Sequence, residues 1–81
     1  MLVSVHLFAR ARDLASSSLV RVELPEGATV GELRQKLAGE YTPLQGLLER
    51  SALALNNEFA DDSLTIPEGA ELALLPPVSG G

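Results

Sequence analysis

Glu71-Leu72-Ala73-Leu74-Leu75-Pro76-Pro77-Val78-Ser79-Gly80-Gly81 reads as a strand that runs straight into a stalk. Leu72 and Leu74 alternate with Ala73 and Leu75, the period of a strand with one face on a core. Leu72 and Leu74 are expected to point inward, Ala73 and Leu75 outward. The two prolines fix φ and favour an extended, polyproline-like path, so the stalk should leave the body in a set direction. Gly80 and Gly81 carry no Cβ, and their backbone can enter a channel too narrow for other residues. The one chemical handle there is the carboxylate of Gly81. The reading divides the chain into a body over 1–75 and an extended tail over 76–81 that ends in Gly-Gly.

Upstream of that stretch the chain supplies a platform. Leu2 to Ala9 alternates Val3, Val5 and Leu7 against Ser4, His6 and Phe8, a strand with the valines and Leu7 on the core. His6 and Phe8 then share the outer face. Arg10 to Ser18 breaks the alternation and reads as a loop. Leu19 to Leu24 alternates again, and the short connection predicts an antiparallel hairpin with the first strand. Pro25-Glu26-Gly27 ends it. Thr29 and Glu32 have capping-box spacing, and Val30, Leu33 and Leu37 form one apolar stripe. Those residues predict an amphipathic helix stopped near Gly39. Its polar face holds Arg34, Gln35 and Lys36.

Tyr41 to Arg50 predicts a short helical turn that lays Leu44, Leu47 and Leu48 on the core. Ser51 to Asn56 reads as a strand, Asn56-Asn57 as a tight turn, and Glu58 to Ala60 as a short returning strand. Leu64 and Ile66 are read as apolar anchors of the following loop. Asp61-Asp62 resembles a metal site only superficially, because adjacent acids point apart and no calcium-loop spacing follows. The order of elements predicts an α+β domain, a small mixed sheet wrapped round one main helix.

Composition narrows the chemistry. Eighty-one residues make one domain, and an apolar fraction of 46% with 4% aromatics predicts a core of Leu, Val and Ala. The absence of cysteine excludes disulfides, thiolate metal sites and a cysteine nucleophile. A single histidine argues against a histidine zinc site, so no metal is expected. A net charge of −5 disfavours nucleic acid and favours a basic groove on a protein partner. No apolar run approaches membrane-spanning length, and the N-terminus lacks a signal-peptide pattern, so a cytoplasmic location is expected.

The element order is that of the β-grasp, or ubiquitin-like, fold. The tail Pro76-Pro77-Val78-Ser79-Gly80-Gly81 resembles the MoaD family, the small subunits of molybdopterin synthase. Phe8-Ala9-Arg10-Ala11-Arg12-Asp13-Leu14 is similar to that family's pattern after its first strand. The resemblance covers essentially the whole chain. It implies a sulfur carrier whose Gly81 is adenylated by an activating enzyme that uses ATP, then converted to a thiocarboxylate by a sulfur donor. The tail then enters the large subunit, in a heterotetramer with two small subunits, and passes sulfur to cyclic pyranopterin monophosphate. Gly80, Ser79, Val78, Pro77 and Pro76 are the implied tail contacts, with Leu75 and Phe8 as docking residues. No bound cofactor and no active site of the chain's own are expected. Leu74 and Leu75 stand where aromatics are common in the family.

Two other readings of the same tail remain open. One is a sulfur carrier for thiamine or cysteine synthesis, with the same chemistry at Gly81 and a different acceptor. The other is a ubiquitin-like modifier that forms an isopeptide with target lysines. A plain interaction domain with an incidental Gly-Gly end stands apart from all three.

Overall fold

Alternation decides the first strand. Leu2–Leu7 forms β1 in the computed structural model, which describes residues 1–77, and Val3, Val5 and Leu7 are buried while Ser4 and His6 are half-buried on the other face. The stretch after β1 differs from the expected loop, because Ala9–Ala15 forms a two-turn helix, α1. Ala11 is fully buried, and Leu14 and Ala15 pack against the core from the same short helix. Ser16 closes it in the left-handed region at φ 55°, with the Ser17 N–H donating to the Arg12 carbonyl at 3.2 Å. The serine run is therefore a helix stop. Leu19–Glu23 follows as β2, antiparallel to β1 as expected, although α1 replaces the predicted short hairpin connection.

A turn at Pro25–Ala28, with Gly27 at φ 83°, leads into α2, Val30–Glu40. Both halves of the predicted capping box form. The Glu32 N–H donates to Thr29 Oγ1 at 3.3 Å, and Glu32 Oε1 accepts from the Thr29 N–H at 3.3 Å. Val30, Leu33 and Leu37 are completely buried. The helix runs past Gly39 to Glu40, where the Tyr41 N–H donates to Leu37. Gly39 thus lies inside the helix instead of ending it. A 3-10 turn at Thr42–Leu44 and a single turn α3, Gln45–Leu48, bring Leu44, Leu47 and Leu48 onto the core.

Ala52–Leu55 is β3, Glu58–Ala60 is β4 and Glu71–Leu75 is β5. Asn56 and Asn57 make the β3–β4 turn with φ of 48° and 72°. In the loop before β5, Ile66 is buried but Leu64 is exposed, so only one of the two expected anchors engages the core. The five strands run in the order β2-β1-β5-β3-β4, with β5 parallel to β1 and antiparallel to β3. The main helix α2 covers the inner face. This is the mixed sheet and topology of the β-grasp expectation.

Candidate functional site

β5 is the central strand, and Leu75 is its last residue. Leu72 and Leu74 are buried, while Ala73 and Leu75 are half-buried on the opposite face, as the alternation requires. Central placement matters for the stalk. Pairing on both sides, with β1 through Leu74 and with β3 through Leu75, fixes the direction in which the chain leaves the sheet. Pro76 is half-buried and Pro77 exposed. Val78, Ser79, Gly80 and Gly81 lie outside the described residues.

The parallel pairing of β1 with β5 sets the neighbourhood of that exit. Leu7 pairs with Leu74, so the next residue of each strand, Phe8 and Leu75, emerges at the same end of the sheet. Phe8 is 47% exposed. The structure therefore brings together the two residues singled out from sequence as docking candidates, beside the base of the stalk.

The rest of the outer face was not legible as a surface. His6 pairs with Ala73, Ala73 with Ala54, and Ala54 with Phe59, which forms one row across β1, β5, β3 and β4. The centre of the row is two alanines and its β4 end is a phenylalanine 78% exposed. Ala54 is buried although it stands apart from the core cluster on the inner face. Small residues between larger ones make a saddle. Phe59 was missed because its importance depends on a cross-strand register that a three-residue strand does not advertise. An alternating Phe59 opposite an alanine was the only signal.

His6 and Glu71 form an ion-pair geometry on the outer face. His6 Nε2 lies 3.6 Å from Glu71 Oε2, and the Glu71 side chain is 72% exposed. Behind the face, the body is tied together by Arg34. Its Nη1 donates to the Leu48 carbonyl and, at 2.8 Å, to the Ser51 carbonyl, while Nε and Nη2 donate to Asp62 Oδ1 at 3.2 and 3.0 Å. Asp62 is thus the partner of a clamp. Gly31 lets that loop approach α2, since a Cβ there would meet the Asp62 Cβ and carbonyl oxygen at 3.2 Å. Lys36 pairs with Glu40 on the solvent side.

Among the described residues no cluster of His, Asp or Glu could hold a metal ion, and no helix is long and apolar enough to cross a membrane. What the arrangement offers is a five-stranded sheet, an outer face with Ala54 and Ala73 at its centre, and a chain that leaves the end of the central strand at Pro76.

Residues 5–81 match the ThiS family. The chain is similar to a molybdopterin synthase sulfur carrier subunit of Arabidopsis thaliana, with 35% identity over 79 residues that cover 98% of this chain and 82% of that protein. Among solved structures it is similar to SAMP1 from Haloferax volcanii, at a TM-score of 0.86 and 35% identity with 100% of both chains covered. It is also similar to a chain in a protein–protein complex of subunits 1 and 2 of molybdopterin-converting factor from Helicobacter pylori, at a TM-score of 0.71 and 28% identity with 100% of both chains covered.

Proposed function

The chain belongs to the ThiS family, and from that premise we propose that it is the sulfur-carrier subunit of a molybdopterin synthase, with the Gly81 carboxylate as the point of attachment. The observation that carries the reading is the end-to-end likeness to proteins named for that role, at 30–37% identity in eight organisms. The geometry supports it. A central strand aims the Pro76-Pro77 stalk, and Phe8 and Leu75 stand at its base.

The chemistry follows from the carboxylate. It is a poor acyl donor until an oxygen becomes a good leaving group. Attack of Gly81 on the α-phosphate of ATP, held by an activating enzyme, expels pyrophosphate and gives an acyl adenylate. The terminal sulfur of a donor persulfide then attacks the carbonyl carbon and AMP leaves. A thiol cleaves the acyl disulfide so formed, and the thiocarboxylate remains. The tail of the charged chain, Val78 to Gly81, enters the large subunit. There the sulfur passes to cyclic pyranopterin monophosphate, in an assembly with two copies of each subunit. The small subunit needs no general base, and its turnover is a cycle of recharging. The large subunit supplies the cationic groups that hold the tail.

The likeness to SAMP1, whose structure is also described as a small archaeal modifier protein, favours one second reading. The same acyl adenylate could be captured by a lysine amine instead of sulfur. Reconstitution with large subunit and pterin precursor separates the two. Charged wild-type chain yields molybdopterin, and the chain lacking Gly81 yields none while keeping its fold. Molybdopterin formed without Gly81 contradicts the reading, and lysine conjugates in place of a thiocarboxylate favour the modifier.

A further inference from the structure

Two shallow hollows lie side by side on the outer face of the sheet and share Ala54, Asn57 and Ala73 as a common floor and wall. The first, of about 290 Å³, is bounded by Phe8, His6, Asn56 and Glu71. The second, of about 180 Å³, is closed by Phe59 and Leu75. Together they form one trough that leads from Glu71 to the base of the stalk. Its two ends differ in chemistry. The Leu75 end is apolar. The other end holds a carboxylate, and no lysine or arginine lines either hollow.

We propose that the Glu71 end of this trough receives a lysine or arginine side chain of the docked partner protein. Its aliphatic stem lies over Ala54 and Ala73 and its charged head meets the carboxylate. The proposal rests on the reading that this face docks a partner, and it assigns that partner a residue of stated charge at a stated place. Four observations favour a cation. Glu71 is largely exposed, and among the described residues its ion-pair neighbour is His6 alone. The Glu71 backbone is held in place, since its carbonyl accepts from the Asn56 N–H at 3.0 Å and its N–H donates to Asn56 Oδ1 at 3.4 Å. The carboxylate is thus presented from a fixed strand position. The floor of two alanines is apolar and suits the methylenes of a long cationic side chain, which buries its stem and keeps its head at the wet rim. The chain's net charge of −5 gives the surrounding field the same sign.

Spacing makes the proposal specific. Glu71, Ala73 and Leu75 alternate on one face of β5, so the carboxylate and the apolar end lie four residues apart, about 13 Å along the strand. The fitting partner segment therefore carries an apolar side chain against Leu75 and Phe59 and a cationic one about 13 Å away. A rim charge of this kind acts mainly on association rate and on its salt dependence.

The test has two arms. In the first, the uniformly labelled chain is titrated with N-acetyl-arginine amide and, separately, with N-acetyl-glutamate amide, and backbone amide shifts are followed. The proposal predicts arginine shifts centred on His6, Phe8, Ala54, Asn56 and Ala73, lost in E71K. Equal shifts with the glutamate probe, or arginine shifts that survive E71K, overturn it. In the second, association with the molybdopterin synthase large subunit is measured at two salt concentrations. E71Q is expected to weaken it about 2- to 5-fold and E71K about tenfold or more, with the loss in association rate shrinking at high salt. Wild-type affinity in both variants overturns the proposal while leaving the sulfur-carrier reading in place. The titration decides the hollow whether or not the large subunit binds.

Discussion

Arg34 shows what one residue adds that the pattern around it conceals. It falls on the polar face of α2, next to Gln35 and Lys36. In the folded chain its guanidinium caps two carbonyls at the α3–β3 junction and grips Asp62 from the loop before β5. Its partners lie 14, 17 and 28 residues away, so no local spacing signals the role. The planar fork of arginine suits three acceptors in different directions. Arg34→Ala removes the donors and leaves the Leu48 and Ser51 carbonyls short of partners, which should cost about 1–3 kcal/mol in urea unfolding. Arg34→Lys should recover only part, because one ammonium cannot reach all three. An unchanged midpoint for Arg34→Ala would show that water replaces the clamp freely. The strand residues were legible for the opposite reason. Val3, Val5, Leu7, Leu72 and Leu74 are buried at period two, and burial at that period is written in the chain itself.

Elements were legible where a stripe or an alternation was long enough to repeat. The helix α2 has its cap, its acidic first turn and three buried apolar residues, and both its start and its face follow from those residues. The helix α1 has only Ala11 fully buried, with Leu14 and Ala15 behind it, and two turns do not establish a period. Its serine stop looks the same as a serine loop until Ser16 is seen at positive φ. The pairing of β5 between β1 and β3 joins segments from the two ends of the chain. Alternation predicts strands but says nothing of their neighbours. That pairing is what brings Phe8 to Leu75, and it carries a consequence for binding. Phe8→Asp and Leu75→Asp, each on the outer face, should weaken association with the large subunit by about 1 kcal/mol or more, while circular dichroism keeps the folded signal. Loss of that signal would mean that these side chains support the core, and wild-type affinity in both would mean that the partner docks elsewhere.

In the proposed function the whole molecule works as a platform and a stalk. The sheet has an inner face closed by α2 and the other helical turns, and an outer face whose centre is Ala54 and Ala73, with Phe59 exposed on β4 and His6 and Glu71 beside them. Nothing in the body performs chemistry in the proposed cycle. Its part is to hold the stalk in a direction and to present a surface that activating enzyme and large subunit can grip. A chain without cysteine has no side-chain thiol on which to carry sulfur, and the proposed function puts the load on the carboxylate of Gly81. That is the central claim, and intact mass tests it most directly. The chain is incubated with ATP, a matching activating enzyme and a persulfide donor, then weighed whole and after fragmentation. The account predicts a gain equal to one sulfur in place of one oxygen, confined to the fragment that ends in Gly81. An unchanged mass, with an enzyme mixture shown to be active on another carrier, would contradict it.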